Sequence, residues 1–453
     1  MPTAVRQFVR SLAVDAYVVG GAVRDELIGV AHADEDFLVP AVDHAGLRAL
    51  LEPHGRVEDM AVHGQLVGVR LHPRDRAVRA LAPAGIELTP PRAERSTGPG
   101  HRDFEIVSDA TIRLEDDMAR RDFTVNAMAR RLADGSLLDP FGGLGDLARR
   151  ELRTVTRHSF AEDPLRILRG LRLVSQLGFG IAGETLAQMH VEAAGLAHVS
   201  AERIGGGLAA DGLGELSKLL LGRHALAALR LARDTGVLEA IIPELGPAIG
   251  HDLGSPRQPG PLDEHLFAVV QRAGELGAPL PVLLAALLHD VEKPRTTDAA
   301  AHAELAAVTA ARVVARLRYP VRLQRQVVAI VRHHAFRVEE LSDARAARRF
   351  LARHGDELAF WLLQHKEADV TAKTVPTDEL DALVTARALL ERERSSPHRI
   401  ADLAIDGTDL LALGFREGPA LGEALQTLLA RVVDDPAANE RETLLEAARG
   451  ILR

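Results

Sequence analysis

The first third of the chain is written in short apolar runs of strand character. Residues 16–21 (AYVVGG), 35–40 (EDFLVP), 65–71 (QLVGVRL) and 85–89 (GIELT) are β-rich and lie between turn residues and helical stretches. After about residue 145 the pattern changes to long Ala/Leu/Arg segments of helical period, broken by Gly and Pro. Residues 250–261 (GHDLGSPRQPGP) form the clearest linker, and no internal repeat is visible. The pattern predicts an α+β chain: a head with a small mixed sheet and helices, then an all-helical remainder. Boundaries are expected at 1–145, 146–250, 251–345 and 346–453.

Composition narrows this picture. At roughly 150 residues per domain, 453 residues suggest about three domains. With 47% apolar and 26% charged residues, a disordered chain is excluded. Aromatic residues make up only 3%, so the cores must rest on Ala, Leu and Val, which favours helices. The absence of cysteine leaves His, Asp and Glu to hold any metal. No apolar run approaches the roughly 20 residues that span a bilayer. The first ten residues lack the apolar core of a secretory signal, so a soluble cytoplasmic protein with no membrane partner is expected.

The net charge of -9 argues against indiscriminate coating of nucleic acid. Arginine is nevertheless concentrated at 312, 316, 318, 322, 325 and 332 with no acid between, and again at 345, 348, 349 and 353. Such clusters read either as solvated helix faces or as phosphate-binding surfaces.

The head carries a more specific arrangement. Tyr17-Val18-Val19 reads as a buried strand entering Gly20-Gly21, followed by a helix from Ala22 through Leu27 that stops at Gly29. Two glycines there permit a tight turn and close backbone approach, which suits a phosphate, and Arg24 could add a charged contact. Asp34 and Asp36 precede Phe37-Leu38-Val39 and, two apart on a strand, would face the same side. Paired carboxylates are costly without a cation between them, and Mg²⁺ with its retained waters fits; a solvated acidic loop is the other reading. Glu87 sits between apolar neighbours in a strand, where a charge needs a metal or another partner. Three carboxylates beside a glycine turn suit two-metal nucleotidyl transfer.

With these residues in view, the sequence resembles class II tRNA nucleotidyltransferases, the CCA-adding enzymes, and bacterial poly(A) polymerases. The resemblance runs from Val18-Val19-Gly20-Gly21-Ala22-Val23-Arg24-Asp25 and Asp34-x-Asp36 through residues 91–104 (PRAERSTGPGHRDF). It continues in 120–129 (RRDFTVNAMA), 139–143 (DPFGG) and 162–172 (EDPLRILRGLR), five blocks in order within the first 180 residues. It implies Asp34 and Asp36 as Mg²⁺ ligands, with Glu87 assisting or activating the attacking 3′-hydroxyl. Gly21, Arg24, Arg121 and Asp122 would hold triphosphate and sugar. Asp163 and Arg166 would select CTP and ATP by their base edges, and Arg169 and Arg172 would contact the nucleotide. Read alone, the Arg166–Arg169–Arg172 stripe is a solvated helix face, and Asp163 before Pro164 a helix cap. The implied activity is addition of CMP and AMP to the 3′ end of tRNA. Poly(A), CC-only or A-only addition shares the same motifs. The arginine clusters and the tail 346–453 would meet the tRNA backbone.

A second constellation lies in the helical remainder. His265, His289-Asp290, His302, His333 of the pair His333-His334, and Asp369 have the residue types and helical setting of a divalent transition-metal site. Leu287-Leu288-His289-Asp290-Val291-Glu292-Lys293-Pro294 resembles the signature of HD-domain phosphohydrolases, which implies metal-dependent hydrolysis at RNA ends as an accessory or alternative activity. That family has glycine where this chain has Glu292, so a glutamate is expected to block or alter the site.

Overall fold

A computed structural model describes residues 3–12, 14–30, 35–62, 64–96, 104–108, 111–206, 212–296, 298–374 and 377–452. The chain divides into two compact units. One comprises residues 1–204 and 227–241, the other 205–226 and 242–453.

The first unit is built on the short apolar runs. Helix α1 (Ala4–Ser11) precedes strand β1 (Tyr17–Val19), and helix α2 (Gly21–Leu27) follows the glycine turn directly. Next come β2 (Asp36–Leu38), β3 (Gly55–Val62), β4 (Gln65–Pro73) and β5 (Ile86–Thr89). A separate hairpin of β6 (Arg92–Ser96) and β7 (Phe104–Ser108) intervenes before β8 (Ala129–Arg131) and β9 (Leu137–Leu138). The main sheet has the order β3-β4-β5-β2-β1-β8-β9, and only β2 and β5 pair in parallel. Val18, Phe37, Val69 and Leu88 are each at most 1% exposed, as the β-branched and aromatic runs require of central strands. Strand β3 was not legible as a strand: Gly55-Arg56-Val57-Glu58-Asp59 alternates poorly, and its pairing with β4 decides it. Further along, the helix Leu165–Leu177 begins just after Asp163-Pro164, where the Asp163 carboxylate accepts from the Leu165 N–H (3.1 Å).

The second unit is helical. In the helix Leu280–Leu288 every residue is buried, which its all-apolar sequence dictates. The helix Ala344–Thr371 breaks its geometry at Gly355 (φ 72°), a left-handed position that glycine occupies without steric cost. The second arginine cluster is mixed, with Arg345, Arg349 and Arg353 exposed and Arg348 internal. Arg348 is buried, bonded to Glu393 (2.8 Å) and to the Val433 carbonyl (2.7 Å), while Arg345 and Arg349 both grip Asp434. These three arginines link their helix to its neighbours through ion pairs and carbonyl contacts, while Arg345 and Arg349 keep more than half of their side-chain surface exposed. In the first cluster Arg312 and Arg325 are exposed, whereas Arg316 pairs with Glu244 and Arg332 with Glu304. Among the described residues no helix is long and apolar enough to cross a membrane.

Candidate active site and histidine centre

Strand register assembles the head site. Val19 pairs with Asp36 across β1 and β2, Asp36 with Glu87 across β2 and β5, and Glu87 with Arg70 across β5 and β4. Residues paired in register share a face, so Asp36 and Glu87 are side-by-side carboxylates at the point where β1 turns through Gly20. Asp36 is exposed; Glu87 is about one-third exposed and ion-paired with Arg70. The partner that Glu87 needs therefore includes an arginine that the sequence reading missed. Asp34 lies outside the described residues.

Gly20 has φ 76° and ψ −140°, which only glycine tolerates well. A Cβ there would fall 2.8 Å from Arg121 Nη1, and one at Gly21 would fall 3.4 Å from Arg24 Nη2. Two guanidinium groups thus lie against the turn. Helix α2 has only seven residues, so these side chains supply most of the positive charge there. Each is held in place. Arg24 donates to Asn126 Oδ1 (2.6 Å) and Asp25 Oδ1 (2.8 Å). Arg121 donates to buried Asp117 (3.2 Å). Asn126 in turn donates to Asp122 Oδ1 (2.9 Å), and Arg169 Nε to Asp122 Oδ2 (2.8 Å). Burial disfavours the Asp122 charge, but Arg169 and Asn126 outweigh it and hold this carboxyl far below the usual range.

Arg166 behaves differently from the expectation of a side chain free to read bases. It is buried, donating to the carbonyls of Arg120 (2.8 Å) and Ser159 (3.2 Å) and pairing with Glu162 (3.2 Å). It fastens its helix to the segment that carries Arg121 and Asp122. Asp163 caps that helix and approaches Arg203 (3.4 Å). Arg169 and Arg172 are half-buried on the same helix.

The histidine centre draws on five helices. His265 comes from Leu262–Glu275, His289 and Asp290 from the end of Leu280–Leu288, and His302 from Ala299–Arg316. His334 follows Val321–His333, while His365 and Asp369 lie one turn apart on Ala344–Thr371. Two groups of ligand atoms, each within 4.8 Å of one another, share Asp290: His265, His289 and Asp290, and Asp290, His302 and His334. The sequence reading named His333, and the structure corrects it. His333 stacks edge-on against His354 (5.0 Å between ring centres), whereas His334, one helical step of about 100° further round, lies 3.4 Å from Asp290. His365, fully buried beside His289 (4.8 Å between ring centres), was missed, because no local motif marks it.

These side chains have the character of ligands. His265 Nε2 lies 3.1 Å from Asp369 Oδ1 and His289 Nε2 lies 3.2 Å from Asp290 Oδ2, yet none of these four atoms makes an aligned hydrogen bond. Nδ1 of His289 and of His334 each contacts a backbone carbonyl, of Ala286 (2.9 Å) and Val331 (2.6 Å). The Nδ1 contact to a backbone carbonyl turns Nε2 of each ring towards the carboxylates, so Nε2 is the nitrogen that would bind a metal after giving up its proton. Burial disfavours the His289 cation, but Asp290 and Asp369 outweigh it and push its pKa up to about 9. Lys293 and Lys373 also sit on Asp290 and Asp369, at 2.5 and 2.6 Å. Glu292 does not obstruct the centre. Its φ of −96° is ordinary, and its carboxylate is engaged by Thr309 (2.6 Å) and Arg295 (2.8 Å).

Fold and head site together define a nucleotidyltransferase, and residues 16–153 match the family model described as the Poly A polymerase head domain. Residues 298–448 match a model of tRNA nucleotidyltransferase domain 2, and 178–249 one described as the "Probable RNA and SrmB- binding site of polymerase A". The Multifunctional CCA protein of Xanthomonas campestris pv. campestris (strain B100) is 34% identical over 427 residues, covering 90% of this chain and 95% of its own length. That of Azoarcus sp. (strain BH72) is 37% identical over 330 residues, 70% of this chain and 73% of that protein. The chain belongs to the family of the multifunctional CCA proteins. Its fold matches that of the Bacillus stearothermophilus CCA-adding enzyme in complex with CTP (TM-score 0.68, 24% identity, 98% and 95% of the two chains covered). It likewise matches a Thermotoga maritima CCA-adding enzyme complexed with tRNA (TM-score 0.61, 20% identity, 99% and 94% covered).

Proposed function

We propose that this protein adds CMP and AMP to the 3′ end of tRNA, building or repairing the terminal CCA from CTP and ATP in the cytoplasm. The observation that carries the reading is the register of Asp36 beside Glu87 at the glycine turn, with Arg24 and Arg121 against that turn. The donor set is hard oxygen, which fits Mg²⁺ held by Asp36 together with Asp34. Bound there, the metal would neutralise developing charge on the transferred phosphoryl group and favour ionisation of the attacking 3′-hydroxyl. The chain's own residues do the rest. Arg24 and Arg121 present cations to the triphosphate, with Asn126, Asp25 and Asp117 fixing their directions. Glu87, paired with Arg70, would accept a hydroxyl proton. Asp122 sets the orientation of Arg169. Base selection by Asp163 and Arg166 requires Arg166 to exchange its present bonds to Arg120 and Ser159 for bonds to a base.

The test is direct. Purified protein with Mg²⁺ and tRNA lacking its 3′ end should incorporate labelled CTP twice and ATP once. Unlimited AMP addition would make it a poly(A) polymerase, and incorporation of C alone or A alone a partial enzyme.

A second activity is supported by the buried centre around Asp290. Its imidazoles and carboxylates suit one or two divalent transition-metal ions competing with Lys293 and Lys373 for carboxylate oxygens, and hence hydrolysis of phosphoesters at RNA ends. Opening of a 2′,3′-cyclic nucleotide to its 2′- or 3′-monophosphate only after metal addition tests it.

A further inference from the structure

The middle acid of Asp34-Glu35-Asp36 has no role in a two-carboxylate metal site, yet the structure holds it firmly. Glu35 has a side chain only 7% exposed, and both of its oxygens are engaged by the N-terminal segment. Arg6 Nε donates to Oε1 (2.6 Å) and the Thr3 hydroxyl to Oε2 (2.8 Å). Thr3 also caps α1, accepting from the Arg6 N–H (3.1 Å). The Arg6 side chain is itself 7% exposed, and its other arm grips Glu26 in the last turn of α2. Arg130 on β8 approaches the same Glu26 (3.1 Å), so two cations and two anions balance in a half-dry cluster. One guanidinium therefore ties together the helix that leaves the glycine turn and the residue immediately before Asp36.

We infer that Arg6 is a positioning residue for the nucleotidyl-transfer site, clamping Glu26 and Glu35 so that Asp36 is held ready for its metal. This rests on the function proposed above. Asp36 and Glu87 lie side by side, with Glu87 paired to Arg70 on the neighbouring strand, and a short strand of three residues offers little resistance to splaying when no metal bridges the two carboxylates. Successive residues of an extended segment face opposite sides, so anchoring Glu35 towards α1 keeps Asp36 on the other face and excludes Glu35 as a competing ligand. Loss of the clamp would leave the buried Glu35 carboxylate without this cation, while exposed Glu26 would keep Arg130, and the segment before Asp36 would relax towards solvent.

The experiment uses the full chain with Arg6→Lys, which can serve only one carboxylate, and Thr3→Val, which removes only the Oε2 contact. Two quantities are read: the Mg²⁺ concentration for half-maximal AMP incorporation into tRNA lacking its terminal A, and Mn²⁺ affinity by electron paramagnetic resonance with a non-hydrolysable CTP analogue. The Mn²⁺ signal lost in Asp36→Asn identifies the head site. In Arg6→Lys the Mg²⁺ requirement should rise about tenfold, with a smaller rise in Thr3→Val, and Mn²⁺ affinity should fall in step. The maximal rate at saturating Mg²⁺ should recover to near wild type, which a defect confined to folding would not allow. If both metal readouts are unchanged while rate or melting temperature falls, Arg6 merely holds α1 and the inference is overturned. Failure of the wild type to incorporate any nucleotide would instead sink the function proposed above, and the Mn²⁺ arm would still decide the role of Arg6.

Discussion

The two candidate centres of this molecule are made in opposite ways. The head site lies on adjacent strands of one sheet, where register alone makes Asp36 and Glu87 neighbours and leaves Asp36 open to solvent. The histidine centre converges from five helices, and His265, His289, Asp290, His302, His334 and Asp369 are each at most 7% exposed. An open carboxylate pair suits a large polyanionic substrate that brings part of the metal's coordination with it. A buried imidazole set must supply nearly all ligands itself, and its geometry depends on helix rotation and packing. The first centre should therefore be sensitive to charge at single residues, the second to any change in how its helices sit.

The largest expected effect lies in the head. Replacing Asp34 and Asp36 with alanine should lower nucleotide incorporation at least about 1,000-fold, the scale of several kcal/mol of transition-state stabilisation. The melting temperature, and the metal-dependent hydrolysis proposed for the histidine centre, should stay near wild type. Parallel loss of both activities would erase the distinction drawn between them. Next, His334→Ala should weaken transition-metal binding by about 10–100-fold, measured by calorimetry, whereas His333→Ala should leave it within about twofold. Equal effects would mean that the helix end at 333–334 is rotated from the geometry described. Third, Gly20→Ala forces an unfavourable backbone region and crowds Arg121, which should reduce kcat/KM for CTP about tenfold. The smallest effect concerns acid stability. The Asp122 carboxyl is depressed in the folded state, so its contribution is fully present above about pH 4 and is lost as pH falls below that. Removing its partner with Arg169→Gln should lower stability at neutral pH by about 1 kcal/mol, allowing for the partial exposure of Arg169, and flatten the decline between about pH 4 and 2.

What could be read from the sequence follows the same division. The α+β class, strands at Tyr17–Val19 and Asp36–Leu38, and the acid at Glu87 were visible because strand alternation and glycine turns are local signals. Arg70 was invisible as the partner of Glu87, since cross-strand register is set by pairing fifteen or more residues away. In the helical unit His289-Asp290 announced itself as a dipeptide, but choosing between His333 and His334 required the phase of a helix end, and His365 depended wholly on tertiary packing. The ion pairs of the arginine run at 345–353 were invisible for a related reason. Charge density along a sequence does not reveal that Asp434 and Glu393 lie opposite. Composition alone gave no hint that Arg166 would be buried against backbone carbonyls.

The most direct test of the account is a crystal structure of the full chain with Mn²⁺ and a non-hydrolysable CTP analogue, read by the anomalous signal of the metal. The account predicts Mn²⁺ bonded to Asp36 beside Glu87, with the triphosphate lying along Gly20-Gly21 and contacting Arg24 or Arg121. A triphosphate bound elsewhere, with no metal at Asp36, would contradict it.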